Sequence, residues 1–114
     1  MNKDIAICYD INSTLICPHF GETKFFLTAD REGHIQVVNN GGNSHHDLIP
    51  YLAGLGIKVL ICGGLGNHAM EGLLAAGIKV IPGIEGKAEE ALQAYLKGNL
   101  RGKLSAVGSC SCGH

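Results

Sequence analysis

The sequence predicts a single α/β domain with a five-stranded, mostly parallel sheet, and three observations support this. Short apolar runs alternate with amphipathic segments along most of the chain. The stretch from Ile57 to Ile81 has the pattern of strand, glycine-rich turn, helix and strand, and so short a connection makes a right-handed parallel crossover. The run from His34 to Val38 alternates and should pair back on the run from Lys24 to Ala29 across the turn at Asp30 to Gly33, which indicates a hairpin and adds one antiparallel strand.

Strands are expected where apolar and β-branched residues cluster between turn residues, with boundaries loose by about 2–4 residues. Ile5 to Tyr9 is the most apolar of these runs and is expected at the centre of the sheet. Gly33 suits the positive φ of the hairpin turn. The strands are predicted near residues 4–9, 24–30, 34–39, 57–62 and 78–82, and the helices near 47–55, 67–76 and 87–97.

Each predicted helix has an apolar face and a start or stop signal. Asn67 is expected to cap the second helix, and Gly77 and Gly98 to end the second and third. Pro50 is tolerated only in the first turn of the first helix. The faces comprise Leu48, Leu52 and Leu55; then Ala69, Met70, Leu73, Leu74 and Ala76; then Ala88, Leu92, Tyr95 and Leu96.

Composition limits the class of protein. The 114 residues are 46% hydrophobic and 17% charged, which is typical of a globular chain. A net charge of -1 without a long basic run argues against general nucleic-acid binding. Only a few residues precede the first apolar run, too few for a signal peptide or membrane span, so we expect a cytoplasmic protein. In that compartment the five cysteines favour thiols or metal ligands over disulfides.

A glycine loop, residues 63–66, is the strongest functional signal. Gly63, Gly64 and Gly66 remove side chains at the point where a strand leads into a helix. The free N–H groups and the dipole at a helix N-terminus favour an anion, and loops at the carboxyl ends of parallel strands are where open sheets bind ligands. Cys62 and His68 flank the loop. The sequence therefore predicts an anion-binding site here.

The same stretch also matches a dinucleotide fingerprint. Gly64 to Ala69 fits G-x-G-x-x-A, and Glu85 follows at the usual distance. The fingerprint normally opens the first βαβ unit of a larger domain, whereas here it falls in the last. Tight packing of helix on strand explains these glycines better than a dinucleotide site does. A nucleotide- or phosphate-binding regulatory module that uses the same glycine loop is the alternative function.

Several cysteines and histidines are candidate metal ligands, because thiolate and imidazole bind iron, copper and zinc. Cys17 and His19 lie in the loop after the first strand, and Cys62 lies at a strand end. A third group, Cys110, Cys112 and His114, lacks a second pair at zinc-finger spacing. It could hold one metal weakly or complete a site held elsewhere, or it is a flexible, exposed, oxidisable tail. Further candidates are His45, His46 and His68, whereas Cys8 is expected in the core.

Catalytic motifs are not found in the sequence. It has no G-x-S-x-G elbow, no Walker A lysine and no convincing carboxylate pair. Asp10 follows the first strand as a nuclease carboxylate would, but two-metal chemistry needs further acidic partners. We therefore expect a protein that is not an enzyme.

The motifs together resemble the dinitrogenase iron–molybdenum cofactor biosynthesis family. They are His19-Phe20-Gly21, the Gly63–Gly66 loop before a helix, Ala75 to Val80, and Glu89 to Leu100, and the resemblance covers about residues 4 to 102. The resemblance implies a ribonuclease-H-like three-layer fold with sheet order 3-2-1-4-5 and strand 2 antiparallel. It also implies an anionic metal–sulfur cluster as ligand, because the family includes carriers of the nitrogenase cofactor or its precursor and a small orange protein with a molybdenum–copper sulfide cluster.

The leading hypothesis from the sequence is a non-enzymatic binder or carrier of a metal–sulfur cluster, of the iron–molybdenum–sulfur, iron–sulfur or molybdenum–copper–sulfur type. The cluster is expected at His19, Gly63, Gly64, Gly66 and Asn67, with His19, Cys17, Cys62 and the tail residues Cys110, Cys112 and His114 as candidate metal ligands. Residues 1–102 are expected to form the domain and 103–114 a flexible tail. The expected partners are proteins that donate and accept the cluster, without nucleic acid or membrane.

Overall fold

The computed structural model describes residues 3–17, 20, 23–39, 48–98 and 100. It contains the eight elements that the sequence predicts, each within two residues of the predicted bounds. They are β1 (Ile5–Tyr9), β2 (Phe25–Ala29), β3 (Ile35–Asn39), α1 (Leu48–Gly54), β4 (Val59–Ile61), α2 (Asn67–Ala75), β5 (Lys79–Ile81) and α3 (Ala88–Leu96).

The five strands form one sheet in the order β3-β2-β1-β4-β5, which confirms the predicted order. β2 is antiparallel to both of its neighbours, whereas β4 is parallel to β1 and to β5. β1 is central, and all five of its residues are buried. The carboxyl ends of β1, β4 and β5 consequently meet at one edge of the sheet, called the carboxyl edge below.

A separate hydrophobic core lies on each face of the sheet, and β1 contributes to both by alternation. Ile5 and Ile7 face the core under α3, and Ala6 and Cys8 face the core under α1 and α2. The second core also holds Cys62, so the buried thiols share one face. None of the described helices is long and apolar enough to cross a membrane.

Four local predictions about the helices are wrong. Leu55 is 42% exposed because α1 ends at Gly54, and Ala76 is exposed because α2 ends at Ala75. Leu74 is 57% exposed, whereas its neighbour Leu73 takes the buried position on α2. Asn67 is the first helical residue and not the cap, a position that Gly66 occupies without a side-chain hydrogen bond. The predicted stops are confirmed, since Gly77 and Gly98 have φ of 82° and 79°.

Candidate functional site

The loops after β4 and β5 are tied together at the carboxyl edge by backbone hydrogen bonds. The Ile84 N–H donates to the Cys62 carbonyl at 3.1 Å, and the Gly83 N–H donates to the Gly63 carbonyl. The Cys62 N–H in turn donates to the Ile81 carbonyl at 3.1 Å. These bonds fix where the glycine loop leaves the sheet.

The loop after β1 crosses the same edge and contacts both neighbouring loops. The Cys17 N–H donates to the Cys8 carbonyl at 2.8 Å, and the Phe20 N–H donates to the Gly64 carbonyl at 3.0 Å. Farther along, the Ala88 N–H donates to the Thr14 carbonyl at 3.2 Å, so the start of α3 also lies at this edge. Phe20 is almost fully buried in the core under α1 and α2. The loops after β1, β4 and β5 therefore gather at the carboxyl edge.

The glycine loop leads directly into α2, as the sequence predicts. Gly66 has φ -78° and ψ 165°, an extended conformation that any residue adopts, so its backbone does not require glycine. The first turn of α2 contains no acidic residue, and Asn67 and His68 are exposed. The first N–H groups of a helix have no partner within it, and the dipole adds partial positive charge. This helix start can therefore attract an anion from solvent.

Two thiols lie side by side beneath this edge. The register that pairs Ile7 with Ile61 brings the next residues, Cys8 and Cys62, onto neighbouring positions, and both are 0% exposed. Burial raises the pKa of the Cys8 thiol well above its ordinary value, and the adjacent Cys62 thiol raises it further, whereas a hydrogen bond with Thr23 lowers it. Cys8 therefore stays protonated at neutral pH.

Cys17 differs from this pair because it is only half-buried, at the rim of the same core. Cys8, Cys17 and Cys62 are all in the reduced thiol form and not in disulfides. Cys62 is enclosed by the core, so a ligand arriving from solvent would reach Cys17 before Cys62. Among the described residues, no three Cys, His, Asp or Glu side chains come together as a metal-binding group.

The remaining predicted ligands lie outside the described residues: His19, His45, His46, Cys110, Cys112 and His114. Their roles stay predictions. Asp10 is exposed, and its Oδ1 accepts the Asn12 N–H at 3.0 Å, which is a local turn. Glu85, the acidic residue of the dinucleotide pattern, is exposed in the loop after β5.

Sequence analysis missed the pairing of Cys8 with Cys62, having assigned Cys8 to the core alone. A signal was present, because both strands have three apolar residues followed by cysteine, IAIC and VLIC. The parallel register turns this shared pattern into a contact. Thr23, buried beside Cys8, carried no signal of its own.

Solved structures provide close matches to this fold. The apo form of the orange protein from Desulfovibrio gigas is 28% identical, with a TM-score of 0.77, covering 90% of this chain and 94% of that one. The protein PH0822 is 27% identical, with a TM-score of 0.78 and coverage of 85% and 91%. A candidate NifB protein from Thermotoga, assigned to the DUF35 family, is 28% identical, with a TM-score of 0.69 and coverage of 89% and 92%.

No curated protein matches the sequence. The family model described as "Dinitrogenase iron-molybdenum cofactor" matches residues 3–98, which includes every strand and helix and the whole glycine loop. The match confirms the resemblance drawn from the glycine loop and the helices around it, and the chain belongs to the dinitrogenase iron–molybdenum cofactor family.

Proposed function

We propose that this protein binds and carries an anionic metal–sulfur cluster at the carboxyl edge of its sheet, without catalysing a reaction. The cluster is cargo, received from a donor protein and passed to an acceptor. A carrier of this kind would work in the cytoplasm, where its cysteines stay reduced. The proposal rests on family membership together with the geometry of the α2 start.

The observation that carries the proposal is the bare N-terminus of α2. Gly66 offers no side-chain cap, and no carboxylate of the first turn neutralises the dipole. Gly63 and Gly66 are buried, whereas Gly64 is half-buried and Asn67 and His68 are exposed, so an anion would approach the first N–H groups from the side of Gly64, Asn67 and His68. A cluster with several negative charges gains from each of these groups without needing a covalent ligand.

The thiol chemistry near the site is compatible with a metal–sulfur cargo. Thiolate and imidazole are the soft and borderline ligands that iron and copper prefer. Cys17 is the most exposed of the described thiols, and we propose it as a ligand together with His19. Cys62 would become a ligand only if the edge opened, because its side chain is enclosed. Gly63, Gly64, Gly66 and Asn67 would supply the backbone part of the site.

A nucleotide- or phosphate-binding role uses the same glycine loop and remains the competing hypothesis. It is not favoured by the family match. A ribose hydroxyl of a dinucleotide would donate a hydrogen bond to the Glu85 carboxylate, whereas an anionic cluster would make no such bond. The two roles therefore differ in how they depend on Glu85.

The deciding experiment is anaerobic reconstitution of the apo protein with iron and sulfide, and separately with molybdate, copper and sulfide. We expect visible absorption that stays with the protein on gel filtration, at a fixed ratio of metal to protein. Glu85→Gln should load as the unaltered chain does. A colourless protein that instead binds a nucleotide, and loses that binding in Glu85→Gln, would replace this proposal with the alternative.

A further inference from the structure

The thiols of Cys8 and Cys62 form a buried pair beneath the open anion site at the α2 start. Both side chains are 0% exposed, and the parallel register of β1 and β4 places them opposite each other, one position beyond the pair of Ile7 and Ile61. Both belong to the core under α1 and α2, so they lie on the same face of the sheet. The Cys62 side chain is close enough to hydrogen-bond with that of Cys8. Two sulfur ligands are therefore already together inside the domain.

The spacing of the two strands suits a single ion between the sulfurs. Neighbouring strands lie about 4.7–4.9 Å apart, and side chains at opposed positions stand side by side. A thiolate binds zinc at about 2.3 Å, so an ion of similar size midway between two sulfurs needs about 4.6 Å between them. A disulfide needs the sulfurs about 2.05 Å apart and the Cβ atoms about 3.8 Å apart, which is closer than the strand spacing. The pair therefore fits a bridging ion better than a disulfide.

The surroundings of the pair select the kind of ion. The described members of this core include no carboxylate and no imidazole, and no three potential metal ligands come together among the described residues. Zinc takes a tetrahedron of ligands in structural sites, and calcium and magnesium take oxygen ligands, so two buried sulfurs satisfy none of them. Cu(I) is a soft ion that thiolates select, and it accepts two ligands in a line.

We propose that Cys8 and Cys62 bind one Cu(I) ion between them, in a linear site inside the core under α1 and α2. Each Cu–S bond replaces an S–H bond, so both thiol protons leave to solvent and the copper keeps its oxidation state. The bound unit carries a single negative charge. The buried Thr23 hydroxyl stabilises that charge, since its hydrogen bond with Cys8 already favours the thiolate. The site takes a lone ion without sulfide, so it does not depend on the proposed carriage of a cluster.

The test measures Cu(I) binding by the apo full chain without oxygen, in competition with a Cu(I) chelator. Cys110→Ser and Cys112→Ser are introduced together, so that these two thiols do not contribute to the measurement. We expect one copper per chain. Cys8→Ala and Cys62→Ala should each lower the affinity more than about a hundredfold, beyond the effect of losing an outer partner of a ligand. Cys17→Ala, the matched change of a half-buried thiol at the rim of the same core, should leave the affinity unchanged.

Two measurements on the chain with Cys8 and Cys62 intact keep the test decisive if an alanine variant fails to fold. X-ray absorption of the loaded protein should show two sulfur neighbours of the copper. NMR with isotope-labelled cysteine should show copper shifting the β-carbon signals of Cys8 and Cys62, with the signal of Cys17 unchanged.

Two results would overturn the proposal. One is normal Cu(I) affinity in a folded Cys8→Ala protein, which would place the ion elsewhere. The other is a third sulfur neighbour that disappears in Cys17→Ala, which would replace the linear site with one at the rim. Cluster reconstitution is read separately, so a chain that binds Cu(I) at Cys8 and Cys62 but takes up no cluster would refute the proposed function and support the copper site.

Discussion

The starts of α2 and α3 lie at the same edge of the sheet, and each follows a strand and a loop with several glycines. The two loops nevertheless differ in whether their backbone conformation requires glycine. In the loop before α3, Gly83 and Gly86 have φ of 75° and 96°, a region that side chains disfavour. Before α2, Gly66 has φ of -78°, which any residue adopts. The loop before α3 needs glycine to form its turn, whereas the backbone conformation of the loop before α2 does not require glycine at Gly66.

The charges at the two helix starts differ in the same sense. α3 carries Glu89 and Glu90 in its first turn, so carboxylates of the chain itself compensate the dipole. α2 has no acidic residue there, and neither helix has a side-chain cap. Taken together, these differences indicate that the dipole at the α3 start is compensated by carboxylates of the same helix. The α2 start lacks such a carboxylate and is available to an anion from outside the chain.

The largest expected effect comes from filling the glycine loop. Gly66→Val keeps an allowed backbone but adds a branched side chain beside the first N–H groups, so cluster uptake should be abolished. Gly64→Val, at a less buried position of the loop, should do the same. The matched change Gly86→Ala forces a side chain into the left-handed region and should cost about 1–2 kcal/mol of stability with uptake unchanged. Denaturant unfolding and visible absorption measure the two quantities, and a folded Gly66→Val protein with normal uptake would contradict the comparison.

The next largest effect concerns His19 in the loop after β1. This variant tests whether the start of α2 binds the cluster without help from that loop. His19→Ala should lower cluster affinity by about tenfold or more, as loss of a ligand or of its orienting partner does. His34→Ala is the control, because His34 lies at the opposite edge of the sheet with its Nδ1 2.9 Å from an Asp30 oxygen. Affinity is read from competition with a chelator. Equal affinities in the two variants would remove His19 from the site and leave the backbone groups as its main part.

A smaller effect follows from exchanging the charges of the two helix starts. Asn67→Asp adds a carboxylate to α2 and should raise the free energy of unfolding by about 0.3–1 kcal/mol. The same carboxylate should lower cluster affinity several-fold by repulsion, more so at low salt. Glu89→Gln on α3 should lower stability by a similar amount and leave affinity unchanged. An Asn67→Asp protein that gains stability without losing affinity would show that the cargo does not use this helix start.

Most of the fold could be predicted from the sequence, because apolar strands and glycine stops are local signals. The errors fall where a neighbour decides the outcome. Leu73 excluded Leu74 from the core, and the extended backbone at Gly66 left Asn67 no capping position. Cys8 and Cys62 meet only through the strand register, which no single segment contains.

The candidate site divides in the same way. The glycine loop at the carboxyl edge follows from strand order and could be predicted. The choice of metal ligands depends on how loops fold back, and periodicity does not encode that. The Cys17 N–H donates to the Cys8 carbonyl, a contact that no spacing in the sequence indicates.

The hairpin turn at the opposite edge offers an internal example of what the α2 start is proposed to do. Asp30 Oδ1 accepts the N–H groups of Glu32 and His34 at 2.9 and 3.0 Å. Burial by itself raises the pKa of Asp30, but the hydrogen bonds from the His34 backbone and side chain and from the Glu32 backbone lower it to about 2. Backbone N–H groups, together with the His34 imidazole, therefore hold the Asp30 carboxylate in its charged form.

The smallest expected effect is the pH dependence that follows from this turn. The pKa of Asp30 is about 2 in the folded protein and lies near 3.9 in an unfolded chain. Its contribution to stability is therefore complete above about pH 4 and is lost as pH falls through 2. Urea unfolding of the unaltered chain and of Asp30→Asn, measured from pH 6 to pH 2, should show the stability difference shrinking only below about pH 4. A difference that stayed constant down to pH 2 would mean that the N–H groups do not favour the charged carboxylate, and it would weaken the same argument for the start of α2.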